Sequence, residues 1–446
     1  MLKKTILITS LFALVAVSCT TDNNEDNNDN SSTELSLNEQ IEKLIQQPYS
    51  KLTPSEQKVK LEAEANVMLT DMDKSKTSSA IEAMQNLGDL LDISSVDIFN
   101  GKNDNKIEDI INVSGVYGIY TWNITTQKWT KTSSSSDLKF VFPSKKGGTS
   151  NNATLSSNST SSNIKVNIID TYGNWNYNTN SYSNDIKDQV FLPLSVNATL
   201  SIDNKEVAKI ESTAKYDNKE VPTETSLKIN LNDGYAYEMS SAKGSTNSAK
   251  LGFSYNGKSL ISFTAGSTAQ IDKILDDSSV ASYHGKANAI IQIMDNFIIL
   301  EDINIEGTTN AQNALDKSVV RPNYNSSTYY TDLNKYNKAQ AEGEVAITNN
   351  NTKSILVSKK DGTKIADLIQ RAEKGSTYLQ YYTKWNSTYQ YWDYNSSNPV
   401  LIQEYDTVTY LRFNDNTEVE ISAYFSTGFD ALETRFENFW KSFERK

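Results

Sequence analysis

One cysteine and one histidine in 446 residues remove most of the side-chain chemistry on which enzymes rely. A single cysteine builds no disulfide framework. A single histidine, His284, builds no multi-histidine metal site, and any Ser-His-Asp or Cys-His mechanism would rest on that residue alone. It stands in Ser282-Tyr283-His284-Gly285, where a turn or surface role is expected. No glycine-rich phosphate loop leads into a helix and no dinucleotide fingerprint occurs, so no cofactor and no metal is expected. Basic clusters are missing too. The net charge of −12 repels phosphate backbones, which argues against nucleic acid as a partner. After residue 18 no apolar run is long enough to re-enter a membrane. Prolines number only seven while Asn, Ser, Thr and Tyr abound, a composition that favours strands with polar outer faces.

What is present begins with an address. Met1-Leu2-Lys3-Lys4 supplies a positive start, residues 6–17 are mostly apolar, and Ala16-Val17-Ser18-Cys19 follows. The apolar run is too short to span a bilayer, so residues 1–18 read as a cleaved signal peptide. Ala16-Val17-Ser18-Cys19 resembles the lipobox of bacterial lipoproteins, with Ala16 where Leu or Val is usual. The resemblance implies lipidation (palmitate) on Cys19, which also accounts for the lone thiol. With that thiol acylated, no cysteine nucleophile remains. Removing the leader takes Lys3 and Lys4 with it and moves the net charge from −12 to −14. Residues 19–35 carry acids and asparagines and are expected to form a solvated, disordered acidic tether. An acidic run after the lipid cysteine resembles the surface-export signal of Bacteroidetes lipoproteins. It implies an outer-membrane protein facing the cell surface, with the periplasmic face as the alternative.

The period of the apolar residues then divides the chain. Residues 36–95 read as a helical segment. Ser36-Leu37-Asn38-Glu39 is a capping box ahead of Ile41, Leu44 and Ile45. Thr53-Pro54-Ser55-Glu56 opens a second helix with Val59, Ala63, Val67 and Met68 on one face, and a third runs over 78–91. Residues 96–310 read as a β-rich domain. Strands are expected at 116–122, 137–143, 194–202, 207–216, 227–231, 250–255 and 259–263, an antiparallel meander joined by short turns such as Asn256-Gly257. Residues 144–163, rich in Ser, Asn and Thr, read as a long mobile loop. Residues 311–446 read as an α+β region, with a strand at 355–357, a helix over 364–373, a hairpin pairing 407–413 with 418–424, and a last helix over 428–443. The fold class is α+β.

Leu52-Thr53-Pro54-Ser55-Glu56-Gln57-Lys58, Gly115-Val116-Tyr117-Gly118-Ile119-Tyr120-Thr121-Trp122 and Phe140-Val141-Phe142-Pro143 give residues 1–260 a layout that resembles uncharacterised, Flavobacteria-like Bacteroidetes outer-membrane lipoproteins. The resemblance implies an α+β lipoprotein and brings no functional residues with it. Asp406-Thr407-Val408 likewise resembles the acceptor of O-glycosylation in exported Bacteroidetes proteins, though it lies in an expected strand.

One internal repeat stands out. Trp122-Asn123-Ile124-Thr125-Thr126-Gln127-Lys128-Trp129 and Trp385-Asn386-Ser387-Thr388-Tyr389-Gln390-Tyr391-Trp392 share Trp-Asn-x-Thr-x-Gln-x-Trp, with Tyr120 and Tyr382 just upstream. Read as hairpins, both place their tryptophans opposite each other across the strands. Such pairs can simply cover a sheet. They can also form an aromatic platform for a sugar ring or peptide, with Asn and Gln supplying hydrogen bonds. The candidate ligand-binding residues are therefore Trp122, Trp129, Tyr382, Trp385, Tyr389 and Trp392. The second copy is favoured, because residues 378–394 hold eight aromatics, too many for one short hairpin to bury.

Other chemistry is open on spacing alone. Fifty-five acids allow many paired carboxylates of the kind a glycosidase needs. Asn100-Gly101-Lys102-Asn103-Asp104-Asn105 with Glu108-Asp109 is oxygen-rich but departs from EF-hand spacing and reads as a solvated loop. The expectation is a membrane-anchored, non-catalytic binding module for a glycan, peptide or cell-surface partner protein. The alternatives are a polysaccharide hydrolase with paired carboxylates and a lipid carrier with a curved sheet.

Overall fold

A computed structural model of the chain describes residues 36–94, 114–425 and Thr434. Cys19, the acidic tether, the oxygen-rich stretch 100–109 and the expected helix over 428–443 lie outside the described residues. Strand outweighs helix, 44% to 28%, and the strands form a large, mainly antiparallel mixed sheet, so the α+β class holds.

Three helices open the described chain: α1 (Leu37–Ile45), α2 (Pro54–Lys74) and α3 (Ser79–Ile93). Two capping boxes start the first two. Ser36 and Glu39 exchange backbone and side-chain hydrogen bonds, and Thr53 and Glu56 do the same. In α2 the buried face is Leu61, Ala65, Met68, Leu69 and Met72; Val59, Ala63 and Val67, expected inside, are exposed. Two stripes compete on this helix, and the bulkier Leu/Met stripe is the one buried.

The caps make a pH prediction. Hydrogen bonds from the Ser36 side chain and backbone hold the Glu39 carboxyl below its ordinary value, and those from the Thr53 backbone and side chain do the same for Glu56. A carboxylate whose folded value is depressed stabilises above its unfolded value, about 4.3, and loses that effect as pH falls through the folded value. Corrected hydrogen exchange at residues 37–40 and 55–57 is expected to show protection falling from about pH 4 downward. A Glu39→Gln, Glu56→Gln variant, whose amides keep the box without titrating, should show a flat profile. The same acid-induced drop in that variant would remove the carboxylates as its cause.

The chain divides into two compact units, one on Ala63–Thr264 and one on Asn30–Glu62 with Ala265–Asp430. The first carries β1 (Gly118–Asn123), β2 (Lys128–Thr132), β3 (Leu138–Phe142), β4 (Ala153–Asn176), β5 (Ser181–Ile202), β6 (Lys205–Tyr216), β7 (Pro222–Leu231), β8 (Tyr235–Ala242), β9 (Asn247–Tyr255) and β10 (Lys258–Ser267). From β3 to β10 each strand neighbours the next, as a meander requires, while β1 lies parallel to β3 with β2 at its edge. The turns obey their residues. Asp203-Asn204 (φ 51° and 62°) and Asn256-Gly257 (φ 49° and 75°) both sit in the left-handed region that two-residue hairpins need. Gly234 also has positive φ, and a Cβ there would collide with the Asn256 side chain. Alternate residues of β1 and β3 point inward, so Tyr120, Trp122, Phe140 and Phe142 meet Ala83, Leu87 and Leu91 of α3 together with Leu155 and Leu200. Each such side chain contributes roughly 1.5–3 kcal/mol on burial.

The loop expected over 144–163 is a strand from Ala153 onward. Ala153, Leu155 and Ser157 are buried while Thr154 and Ser156 are only half-buried, and both edges of β4 are paired, to β3 and β5. Small hydroxyl side chains read as loop by composition, yet they fit a half-exposed pleated face.

The second unit adds α4 (Ile271–Asp276), β11 (Ala287–Ile293), β12 (Phe297–Ile303), α5 (Ile305–Ser318), α6 (Tyr329–Asn351), β13 (Thr352–Ser358), β14 (Thr363–Gln380), β15 (Lys384–Asn386), β16 (Tyr391–Asp393), β17 (Val400–Arg412), β18 (Glu418–Glu420) and α7 (Ile421–Tyr424). Strand order is β11-β12-β13-β14-β17-β18, with β15-β16 a separate pair. Ile41 of α1 packs on Ile298, Leu300, Ile355 and Val357. The helix expected over 364–373 is strand β14, hydrogen-bonded to β13 on one side and β17 on the other. Lys, Ala, Leu, Gln and Glu there are good helix formers, but propensity is a weak preference, and pairing first with β13 and then with β17 overrides it. The expected hairpin holds for Arg412 against Glu418, but 421–424 turns into helix.

Beyond Leu368, β14 pairs only with β17, and α6 crosses this two-stranded ribbon. Near its end the Asn349 amide donates to Gln370 O and accepts from Gln370 N at 2.8 and 2.9 Å. Near its start Asn334 does the same with Leu401 O and Gln403 N, and Asn337 donates to Gln403 O. Side-chain amides thus stand in for absent strand partners at both edges and fix the ribbon that carries the site.

Candidate functional site

The ribbon ends in the second copy of the Trp-Asn repeat, now a hairpin of β15 and β16. Trp385 and Trp392 are register partners with rings 5.2 Å apart at 61°. The Asn386 side-chain oxygen accepts from the backbone N–H of Thr388 and Tyr389, both at 3.2 Å, and Gln390 adopts φ 52°. The Asn and Gln shared by the repeat copies are therefore turn-makers. The Asn386 oxygen is committed to its own loop, and its amide N–H groups are what it has left to offer a ligand.

Trp392 is 8% exposed. Its indole N–H donates to Tyr324 O at 3.0 Å and its ring meets Tyr330 edge-on at 4.8 Å, within a cluster of Tyr329, Leu333 and Ile402. Trp385 is half-buried against the same cluster. Thr383 Oγ1 donates to Asn398 O at 2.7 Å, and Asn395 N donates to Tyr381 O at 2.6 Å, closing the base of the loop.

With the tryptophans turned inward, the tyrosines face out. All six in residues 378–394 are exposed: Tyr378, Tyr381, Tyr382, Tyr389, Tyr391 and Tyr394, with Tyr389 at 74% and Tyr394 at 60%. Tyr381 stacks on Tyr394 at 5.9 Å, and Tyr382 meets Tyr394 edge-on at 5.7 Å. Leu379 and Leu401, opposite each other on β14 and β17, are also exposed. Residues 378–400 hold only two charges, Lys384 and Asp393, which are register partners. Asp393 beside it also holds the Tyr391 hydroxyl above its ordinary value, in the neutral form. The surface is flat-ringed, hydroxyl-rich and close to uncharged.

The first copy is built alike and used differently. Trp122 and Trp129 are register partners with rings 5.2 Å apart at 68°, Asn123 accepts from Thr125 and Thr126 N–H, and Gln127 has φ 52°. Here, though, Trp122 is 5% exposed within the core, and Trp129 packs edge-on against Phe140 at 5.6 Å.

A third copy escaped sequence reading. In Trp175-Asn176-Tyr177-Asn178-Thr179-Asn180-Ser181-Tyr182, Trp175 and Tyr182 are register partners, Asn176 accepts from Asn178 and Thr179 N–H, and Asn180 has φ 50°. Tyrosine replaces the second tryptophan, and asparagine replaces both the shared threonine and the glutamine. A search for Trp-Asn followed by an amide residue four on and an aromatic two further would find all three.

The remaining candidates lie apart from this surface. His284 contacts Ser278 O through Nε2 at 2.9 Å, just after a short 3-10 turn. Thr407 lies within β17, opposite Ala372. Burial pushes the Glu301 carboxyl up, and it accepts from Ser354 Oγ at 3.4 Å. A polar cleft of about 420 Å3 is lined by Asp302, Lys353, Asp367 and Arg412 among others, and Arg412 pairs with Asp367 there at 3.3 Å. Among the described residues no group of three or more His, Cys, Asp or Glu is placed to hold a metal ion. Comparison with protein families, with curated proteins and with solved structures gave no match.

Proposed function

We propose that this chain is a lipid-anchored, non-catalytic glycan-binding protein of the outer membrane, displayed at the cell surface, with the tyrosine-faced hairpin as its contact surface. The observation that carries this reading is the division of labour within residues 378–394. Trp392 buries itself and Trp385 packs half-buried against the same cluster to fix the hairpin, and six tyrosines are left exposed around it. Exposed rings in one small area are costly to solvate and mark interaction surfaces. The weakly polarised C–H faces of a sugar ring suit the electron-rich face of a tyrosine, and sugar hydroxyls suit phenol and amide groups. The near absence of charge disfavours an ionic ligand. Cys19 and the tether after it would supply the anchor and the reach.

Retention of the full chain on immobilised uncharged polysaccharides tests the proposal. A Tyr382→Ala, Tyr394→Ala variant is expected to lose about 1–3 kcal/mol of binding, roughly 5- to 150-fold, with an unchanged melting temperature. Unchanged retention would end the platform reading. Loss of retention on a protein or peptide array in place of the polysaccharides would redirect it to a protein partner.

A further inference from the structure

The polar cleft of about 420 Å3 lies wholly within the second unit. The end of β12 and the start of β13 meet the cap of α5 and the last turn of α6 there, and Asp367 of β14 and Arg412 of β17 close the wall. No aromatic ring is among its lining residues, and Leu368 and Ile369 are the only apolar ones. Its charges do not cancel. Lys286, Lys353 and Arg412 stand against Asp302 and Asp367, three cations to two carboxylates, on a chain whose net charge is −12. Asp367 is already engaged: it accepts from the Tyr49 hydroxyl at 2.6 Å and from Nη2 of Arg412, its register partner, at 3.3 Å. That contact steadies the guanidinium through one nitrogen and leaves its remaining N–H groups without a partner among the described residues. Lys353 lies opposite Asp302 across β12 and β13, yet no ion pair joins them. Lys286 donates its backbone N–H to Thr268 Oγ1, and its ammonium has no partner among the described residues.

We infer that this cleft is a binding site for a sugar that bears one carboxylate, a uronic-acid residue. The planar fork of Arg412 matches a carboxylate with two parallel hydrogen bonds, and the two lysines add charge without competing for that geometry. One surplus positive charge suits a monoanion. A phosphate ester carries about −1.5 to −2 near pH 7 and would leave excess negative charge beside Asp302. The sugar hydroxyls are met by what the helix ends have not used. Asn304 spends its side-chain oxygen on the cap of α5 and keeps its NH₂, while Asn351 donates to Ile347 O and keeps its oxygen. Ligand clefts span about 300–1,000 Å3, and one near the lower end suits one or two sugar rings. The inference does not rest on the tyrosine-faced hairpin, which offers rings and almost no charge where the cleft offers charge and no rings.

The test is calorimetric titration of the full chain with galacturonate, glucuronate and mannuronate, beside galactose, glucose, mannose, galactose 6-sulfate and acetate. The tightest uronate is expected to bind at one site, about 10- to 100-fold more tightly than its neutral parent hexose, the effect of hydrogen bonds to a charged group. Arg412→Gln is expected to remove that advantage. Lys286→Gln, Lys353→Gln should weaken the uronate about 3- to 10-fold, as partly exposed charges do. Because neither ammonium group has a partner to lose, the melting temperature of the double lysine variant should not move, so it keeps the test valid where Arg412→Gln loosens β17. The Tyr382→Ala, Tyr394→Ala variant should bind the uronate as the wild type does. The cleft assignment is overturned if no uronate binds, or if the neutral hexose or acetate binds as tightly. It also fails if galactose 6-sulfate binds more tightly than every uronate, or if the double lysine variant keeps wild-type affinity. Loss of uronate binding in the tyrosine variant would move the acidic sugar to the hairpin and end the cleft assignment as well.

Discussion

Trp392→Ala is expected to melt the tyrosine-faced hairpin while every tyrosine on it remains in place. Truncating a buried aromatic to alanine costs about 3–5 kcal/mol. Here the loss falls on an element that cannot absorb it. The β15-β16 pair has three register partners only, and a two-stranded hairpin of that size is marginal without a packed face. Removing the indole opens the cluster around Tyr330, Leu333 and Ile402 and leaves Tyr324 O without its donor. Hydrogen exchange should show protection lost across residues 381–394 and kept in β11 to β13, with glycan retention falling as far as in the Tyr382→Ala, Tyr394→Ala variant. Trp122→Ala removes the same atoms from the matching position of the first copy. It should destabilise the Ala63–Thr264 unit by a similar amount and leave the exchange pattern of 381–394 as it was. If Trp392→Ala keeps both protection and binding, the tryptophan does not fix the platform.

Much of this architecture was legible from local signals. Both capping boxes, the short left-handed turns and the cross-strand pairing of the tryptophans are written in residues a few positions apart, where the physics is local as well. The errors share a different cause. Residues 153–163 and 364–373 carry the composition of a loop and of a helix, and became strands through pairing with neighbouring strands, β3 and β5 for the first and β13 then β17 for the second. The buried stripe of α2 was misassigned because that helix has two apolar stripes, and which one is buried depends on tertiary contacts. The repeat was seen in two copies and missed in the third for a simpler reason. The match was sought on residue identity, whereas the turn needs only an acceptor side chain, an αL-tolerant residue and a closing aromatic. The spacing of Asn386 and Gln390 is set by the turn, where the Asn386 oxygen accepts from Thr388 and Tyr389 N–H and Gln390 takes φ 52°. The exposed tyrosines between those signals carry no periodicity, and their exposure could be suspected only from their number.

Cys19→Ser is expected to release the protein from the membrane altogether, the largest single effect foreseen for this chain. The sulfur atom is the only thiol available for a thioether, and serine cannot replace it. Each buried CH₂ of an acyl chain contributes about 0.8 kcal/mol, so one chain holds reversibly while two or three hold for practical purposes without exchange. No apolar run after residue 18 is long enough to span a bilayer, and among the described residues no helix is long and apolar enough to cross one. Electrostatics works the other way. The sequence directly after Cys19 carries Asp22, Glu25, Asp26 and Asp29, and the chain's net charge is negative, so anionic headgroups repel both. On the proposed anchor, the acyl chains on Cys19 would supply the attachment, and their loss would release the protein. In cells fed labelled palmitate, the wild type should take up label and float with envelope membranes, and the serine variant should do neither. Label on the serine variant, or a wild type without label in the soluble fraction, would overturn the anchor. The tyrosine contacts would still be open to test, now on a protein with no membrane to present them from.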